Sequence, residues 1–585
     1  MSRSNPHSFP YMPGLDGLRA LAVLSVIAYH LNLPFTTGGF LGVTVFFVLS
    51  GYLITSLLVW EYDTTNSIDL KHFWIRRAKR LLPAMFLLLA VLNVLIPLIR
   101  PELITTLHGD SIAGIFYYSN WHYIFQHVSY FESFGTTSLL THFWSLAIEE
   151  QFYIVWAIVF FICFVTFKKR EKVLKWTLIA TGLSILAMIV LYKPSLDPSR
   201  VYYGTDTRLF SLLIGASLAL IFPSHQLSDI PDKKRKWTFE IIGFAGLLVY
   251  VIMMMTTNQY QPFIYRGGMV LVSITTALLV LSIALPSSTL LRSMLSVKPL
   301  KWIGERSYGI YLWHYPIITL FNSKVNTIQP HYWKALGEFV LILVLASLSY
   351  KYVEQPIRKG SFPFPKKQAF ASLAAVCVAL LAVNTFITPP KHTTEVVKNQ
   401  IMTKEALAES KQKAVPTEGD GKAPSITAIG DSVLINPSPY LKDEYPSMVI
   451  DAKVGRQMWH VNDTVTQLKA NKQLGDIVVI ELGSNGAFPE DNLTDALKTI
   501  GKERKVFLVN TPVPKPWGPI VNKTLKNVAK KYNNTTVLDW HSLSSKHSEY
   551  FIADGVHLKP KGAQAFADMI DKAIEKTTSS YKVKK

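Results

Sequence analysis

Apolar runs of bilayer-spanning length recur from near the N-terminus to about residue 388 and then stop. They lie near residues 18–33, 40–60, 81–99, 145–167, 174–192, 207–222, 238–256, 266–285, 303–322, 334–353 and 368–388. This pattern predicts about eleven membrane helices, each close to the ~20 residues needed to cross the hydrocarbon core, the first and sixth being short. Past residue 389 the pattern changes. A polar stretch runs to Ala423; within it Lys398–Lys413 has helical composition but only a thin apolar face, and reads as a spacer. From there short apolar runs alternate with amphipathic stretches. Strands are predicted at Ser425–Ile429, Ser447–Ala452, Asp476–Leu482, Lys505–Asn510 and Thr536–Asp539. Helices are predicted at Trp459–Lys472 and Asn492–Lys502, with Lys561–Lys576 closing the fold. Alternation of this kind predicts a parallel sheet covered by helices on both faces. There is no internal repeat and no low-complexity tract.

The chain therefore divides into a multi-pass α-helical membrane domain at 1–360, a last membrane tether at 361–390, a linker at 391–422 and a soluble α/β domain at 423–585. A content of 49% apolar residues and a net charge of +20 over 585 residues fit this division. The charge is not gathered into a nucleic-acid groove. It falls in short clusters between apolar runs, Lys71–Arg80, Lys168–Lys175, Lys233–Lys236 and Arg358–Lys367, which is the pattern of cytoplasmic loops. An N-terminus on the cytoplasmic side and an odd number of spans place the C-terminal domain outside the cell, with the lipid bilayer as partner and no nucleic acid. Cys163 and Cys377 both fall in apolar runs, so no disulfide framework is implied. No cleavable signal peptide is visible; the first apolar run reads as an uncleaved anchor. Residues 100–143, with Trp121, Tyr123 and Tyr130, form the longest outside loop and have room for an interfacial helix.

The soluble domain carries the clearest chemistry. Its first apolar run ends in Gly430-Asp431-Ser432, followed by Gly455, by Gly483-Ser484-Asn485 and by Asp554-Gly555-Val556-His557. A serine hydroxyl is a weak nucleophile until an imidazole accepts its proton, and the imidazole needs a third group to fix its tautomer. Asp554 and His557, three residues apart before a helix, suit that pairing; His541 and His547 have no aspartate three residues before them. The bland alternative is a turn at Gly430-Asp431-Ser432 and a loop cap at Asn485. Gly-Asp-Ser-Val is not the Gly-x-Ser-x-Gly elbow of α/β-hydrolases. Together the four blocks resemble the SGNH/GDSL esterase family over residues 425–575. The resemblance implies a three-layer, flavodoxin-like fold with Ser432 as nucleophile, His557 as general base and Asp554 as its orienter. It also implies an oxyanion hole made by the Ser432 and Gly455 backbone N–H groups and the Asn485 side chain.

Ionisable residues within membrane spans are costly and point to function. Arg19 and His30 lie eleven residues apart on one helix face, about 16 Å along the axis. Arg76 and Arg77 open a basic loop, and Glu149 and Glu150 enter the fourth span; His314 reads more simply as a helix–helix hydrogen bond. The segments Pro13–Ala20, Phe46–Ile54, Phe73–Arg77, Ser145–Tyr153, Tyr311–His314 and Val353–Arg358, with the Arg19-to-His30 spacing, resemble the membrane acyltransferase-3 family. With the tail added, about nine-tenths of the chain is similar to the peptidoglycan muramic-acid O-acetyltransferases of Gram-positive bacteria. That resemblance implies that acetyl passes from cytosolic acetyl-CoA across the membrane to Ser432. From there it passes to the C6 hydroxyl of N-acetylmuramic acid, which confers lysozyme resistance. It implies a tyrosine acyl carrier in Val201–Arg208, Tyr202 before Tyr203. His30 is then the candidate base, Arg19 holds cofactor phosphates or site geometry, and Arg76 and Arg77 contact cofactor or lipid phosphates. No permanently bound cofactor and no metal are expected. Three other readings stand beside this one: O-acetylation of another surface polysaccharide or teichoic acid, a membrane-tethered acetylesterase, and a binding or transport protein with an inactive tail.

Overall fold

The ten apolar runs predicted between residues 18 and 353 all fall on helices. The computed structural model describes residues 11–126, 128–130, 138–167, 169–193, 198–227, 232–259, 261–286, 290–322, 332–359, 375, 379–382, 424–514, 517–552 and 555–583. The linker, Asp554 and all but residues 375 and 379–382 of the predicted eleventh span lie outside that set. The N-terminal helices are α1 Pro13–His30, α2 Gly42–Thr65, α3 Leu70–Ile99, α4 Ile104–Ile115, α5 Ser119–Phe125, α6 Phe143–Phe167, α7 Arg170–Leu191 and α8 Ser199–Tyr203. They continue as α9 Thr205–Ile221, α10 Lys233–Thr256, α11 Met269–Ala284, α12 Leu290–Leu295, α13 Lys298–Glu305, α14 Ser307–Asn322 and α15 Tyr332–Ser349. Helices α4 and α5 occupy the loop in which an interfacial helix was expected.

Among the described residues seven helices are long and apolar enough to cross a membrane, so these lengths do not establish a count of eleven. Three of the four not counted are α1, α9 and α14, with 18, 17 and 16 residues, and the fourth, 368–388, lies almost wholly outside the described residues. At ~1.5 Å per residue the three helices span about 24–27 Å, less than the ~30 Å hydrocarbon core. Their apolar positions are spent on the protein interior: Leu18, Val23, Val26, Phe210, Leu212, Ile310 and Leu312 are fully buried. Helices α7 and α10 instead turn Leu183, Val190, Ile241 and Leu248 outward, the surface expected where lipid rather than protein covers a helix.

Helices α2 and α9 meet backbone to backbone. A Cβ added at Gly51 would lie 1.9 Å from the Leu212 carbonyl oxygen, and one at Gly215 would lie 2.1 Å from that of Val48. Small residues at such crossings let helices approach closely where lipid gives no hydrophobic drive to association. Gly51→Val is expected to separate the pair at more than the ~1–3 kcal/mol of ordinary overpacking. Melting of the detergent-solubilised protein should show a large loss for Gly51→Val and little for Gly182→Val, where nothing lies within 4 Å of the added Cβ. Equal melting of both variants would contradict the close crossing.

The C-terminal domain has the predicted strands within two residues at each end: β1 Ile426–Gly430, β2 Val449–Ala452, β3 Ile477–Glu481, β4 Lys505–Val509 and β5 Thr535–Leu538. All neighbours pair in parallel, in the order β2-β1-β3-β4-β5. The helices Val461–Ala470, Glu490–Ile500 and Pro560–Val583 match the predicted ones, and Gly518–Ala529 adds a crossover between β4 and β5 that was not predicted. The β1 and β3 strands are buried along their whole length, which is why they read as continuous apolar runs. Register aligns Gly430 with Ala452 on one side and with Glu481 on the other. The carboxyl ends of β1, β2 and β3 thus converge where the order of an open parallel sheet reverses, the usual place for its ligand site.

Candidate active site

Strand β1 ends at Gly430, and the chain turns at once into a short helix, Ser432–Ile435. Asp431 caps that helix, its Oδ1 accepting the Val433 N–H at 2.9 Å. The turn presents Ser432, 8% exposed, to His557, whose Nε2 lies 2.9 Å from Ser432 Oγ. That is hydrogen-bond reach for a base that takes the hydroxyl proton. The pairing spans 125 residues. It is held from the His557 side by the Ile552 N–H, which donates to the His557 carbonyl at 2.9 Å.

Beneath the serine lies a buried polar layer. Asp431 Oδ2 accepts the Asn485 carboxamide at 2.7 Å and also the Ser484 hydroxyl. The same Asn485 Nδ2 reaches the Arg456 carbonyl at 3.3 Å, and the Asn485 carbonyl accepts from Gln457 Nε2 at 2.9 Å. Burial pushes the Asp431 carboxyl up from its ordinary value, against the donors Ser484, Val433 and Asn485. Burial, and then the adjacent Asp431, push the Glu481 carboxyl well up. Gly455 sits at φ +73°, a left-handed conformation that favours glycine, in the loop after β2. With Lys453, Arg456, His460 and Asp463 it lines a cavity of about 330 Å³.

In the helical domain the predicted residues fall into two groups. Arg19, Arg77 and Glu149 line a cavity of about 80 Å³, together with Arg80, Tyr153 and Tyr311. Arg19 is ion-paired with Asp16 at 3.0 Å, and the Asp16 carboxylate also accepts the Tyr11 hydroxyl at 2.7 Å. The Tyr153 hydroxyl donates to Glu149 at 3.1 Å, and the Arg77 guanidinium stacks 4.7 Å from the Tyr153 ring. Arg76 is not brought into this group: it turns to Glu61 at 3.1 Å and its side chain is half exposed. Glu150 is partly buried beside Glu149 but does not line the cavity.

The second group surrounds His30 at the far end of α1. His30 Nδ1 donates to the Val26 carbonyl at 2.9 Å, which leaves Nε2 as the basic nitrogen of the neutral ring. That nitrogen faces the Tyr130 hydroxyl at 3.1 Å. The His314 ring lies 5.1 Å from His30, and the His142 ring 5.3 Å from His314. His314 Nδ1 is held by the Tyr311 carbonyl at 2.5 Å, and the Tyr311 hydroxyl meets Ser145 at 2.7 Å, so Tyr311 belongs to both groups. Tyr202 is fully buried, its ring 5.0 Å from that of Tyr130, and its hydroxyl reaches the Phe40 carbonyl at 3.4 Å. Tyr203 is also buried, with its backbone carbonyl bonded to Asn120.

Sequence reasoning missed Tyr130 as a partner of His30, Arg80 in the cavity, and Ser484 and Glu481 in the layer under Ser432. Only Glu481 carried a signal: it is the one carboxylate in the apolar run Ile477–Leu482. Tyr130 lies 100 residues from His30 in a loop, and no periodicity connects them.

A family profile described as an acyltransferase domain matches residues 12–349. The chain is 42% identical to the peptidoglycan O-acetyltransferase OatA of Listeria monocytogenes, over 98% of this chain and 100% of that one. It is 40% identical to the O-acetyltransferase OatA of Staphylococcus aureus, over 98% and 97% of the two chains. Among solved structures, the C-terminal catalytic domain of Streptococcus pneumoniae peptidoglycan O-acetyltransferase A, with a methylsulfonyl adduct, aligns at 26% identity. That alignment covers 27% of this chain and 97% of that chain, with a TM-score of 0.25.

Proposed function

This chain belongs to the acyltransferase family of O-acetyltransferases, and from that premise we propose that it carries acetyl groups through the membrane to peptidoglycan by two successive acyl-oxygen esters. The observation that carries the reading is the presence, in one chain, of two histidine–hydroxyl pairs. His30 meets Tyr130 in the helical domain, and His557 meets Ser432 in the C-terminal domain. Acetyl-CoA is the donor, entering from the cytoplasm with its phosphates on Arg19, Arg77 and Arg80. Glu149 lines that cavity and Glu150 lies next to it in the chain, so the two contribute negative charge opposite the arginines. The N-terminus is cytoplasmic and the C-terminal domain extracellular.

In the first step a tyrosine hydroxyl attacks the thioester carbonyl. The C–S bond breaks, the acyl–oxygen bond forms, and His30 moves the phenolic proton to the departing thiolate. Tyr130 takes this role before Tyr202, because its hydroxyl is the one in contact with His30 Nε2. In the second step Ser432 Oγ attacks the tyrosyl ester and His557 passes its proton to the released phenolate. In the third, the C6 hydroxyl of N-acetylmuramic acid attacks the acetyl-serine; its proton goes to His557 and returns to Ser432 Oγ. The same hydroxyl is where acetylation hinders lysozyme, so resistance follows from the product.

Alkali-releasable acetate in purified peptidoglycan tests this reading. It should fall on deletion of the protein and return on complementation. Acetate that rises on deletion would identify a wall esterase instead, and acetate lost from teichoic acid alone would replace the acceptor. Tyr130→Phe is expected to lower transfer about 10²-fold or more and Tyr202→Phe less. The reverse order, measured as acetate delivered by the complemented strains, would return the carrier role to Tyr202.

A further inference from the structure

The layer under Ser432 contains more acid than its hydrogen bonds explain. Asp431 and Glu481 are 0% and 4% exposed and sit side by side at the carboxyl ends of β1 and β3. The Asp431 carboxyl lies close enough to Glu481 to add to burial in raising the Glu481 carboxyl. Glu481 Oε2 also accepts the Asp431 N–H at 3.4 Å. Among the described residues neither carboxylate is in an ion pair. Of the charged groups around the layer, Arg456 is spent on the Gly430 carbonyl at 3.2 Å and on Asp451 at 2.8 Å. His557 is turned to Ser432. The crossover helix Gly518–Ala529 contributes Trp517 at its start, whose indole N–H donates to the Ser484 carbonyl at 3.3 Å. Beyond β1 the short helix brings the Val433 N–H to Asp431.

Two adjacent carboxyls shielded from water do not both ionise at neutral pH, because their repulsion is poorly screened and neither charge is solvated. One proton must lie between them. The donors decide which oxygen keeps it. Asp431 already accepts from Val433, Ser484 and Asn485, three hydrogen bonds that favour its anion, so the proton belongs to Glu481.

We infer that Glu481 is a positioning residue for acyl transfer: its proton, shared with Asp431, holds Asp431 as the fixed acceptor that sets the Asn485 carboxamide and the turn carrying Ser432. The chain of contacts is continuous. Glu481 orients Asp431, Asp431 takes one Asn485 N–H at 2.7 Å, and the same Nδ2 makes only longer contacts besides, to the Arg456 carbonyl at 3.3 Å and the Ser484 hydroxyl at 3.5 Å. The weaker of these N–H contacts is the one a developing oxyanion would have to displace. Removal of the Glu481 proton sets two charges against each other, and the pair must separate or admit water.

The folded domain keeps on Glu481 a proton that the unfolded chain releases near the ordinary glutamate value. The resulting stability is complete below that value and is lost as pH rises through the raised folded value. Reactivity of Ser432 should fall in the same alkaline range.

The inference rests on Ser432 as the acyl-bearing nucleophile, and the test separates the two ideas. Full-length protein in detergent is treated with a serine-directed phosphonate, and the rate of Ser432 modification is followed between about pH 5 and 10, with melting recorded at each pH. Wild type should show an alkaline fall in both. Glu481→Ala should react at least about tenfold more slowly at neutral pH. Glu481→Gln keeps a donor to Asp431 and should recover most of that loss, while removing the alkaline fall. An alkaline fall unchanged in Glu481→Gln, or wild-type rates in Glu481→Ala, would overturn the role of Glu481. Should Glu481→Ala fail to fold, Glu481→Gln alone still decides. No labelling of wild-type Ser432 at any pH would overturn the nucleophile itself.

Discussion

Ser432→Ala is expected to leave the protein in the membrane at its normal level and to reduce peptidoglycan O-acetate to background, a loss in transfer of about 10⁴-fold or more. The hydroxyl within reach of His557 is that of Ser432, and alanine removes it without touching the scaffold. The helix cap survives, because it runs from Asp431 to the Val433 N–H and makes no use of the serine side chain. No neighbour substitutes. The Ser484 hydroxyl is 1% exposed and already donates to Asp431. Melting of the purified variant should match wild type, so the loss cannot be ascribed to unfolding. Wall acetate above a tenth of the complemented level, with Ser432→Ala present in the membrane, would show that acetyl reaches the glycan without this serine.

His30→Ala should separate the two halves of the reaction. The Tyr130 hydroxyl loses the imidazole that faces it, and on the proposed mechanism transfer from acetyl-CoA is expected to fall about 10²–10⁴-fold. The Ser432–His557 pair is untouched by the change and should still turn over 4-nitrophenyl acetate supplied directly to the detergent-solubilised protein. Measured side by side, thioester-dependent transfer should collapse while ester turnover stays within about twofold of wild type. Loss of both activities would mean that His30 supports the fold. Loss of neither would remove it from the donor step and leave His142 or His314, which share its aromatic cluster, as the base to examine.

Much of the C-terminal site was legible because its blocks occur at the ends of strands that themselves read clearly. A strand buried on both faces is a short, unbroken apolar run, and Ile426–Gly430 and Ile477–Glu481 differ from their predicted limits by a residue each. The ligand end of a parallel sheet is its carboxyl end, so Ser432 and Asn485 announced their position together. Asp554 lies outside the described residues, and its place beside His557 remains an expectation of the resemblance. In the helical domain Arg19, Arg77 and Glu149 were singled out separately, and only the packing of α1, α3 and α6 brings them to one cavity, while Arg76 was paired with Arg77 by adjacency. Adjacent helical residues point about 100° apart, so one turned to the cavity and the other to Glu61. The residue that shares the cavity with Arg77 is Arg80, one turn along α3.

What the sequence by itself determined is local: hydrophobic period and run length assign helices, strands and their order, and motif spacing assigns the serine chemistry. Tertiary structure decided which distant groups meet. His30 and Tyr130 are 100 residues apart, Ser432 and His557 are 125, and Glu481 and Asp431 are joined only by strand register. Those pairings depend on helix phase, crossing and sheet order, which packing sets through the sum of many weak contacts. No single residue carries them. The same sum determined which apolar runs face lipid and which are drawn inside, and so made α14 shorter than a hydropathy pattern alone suggests.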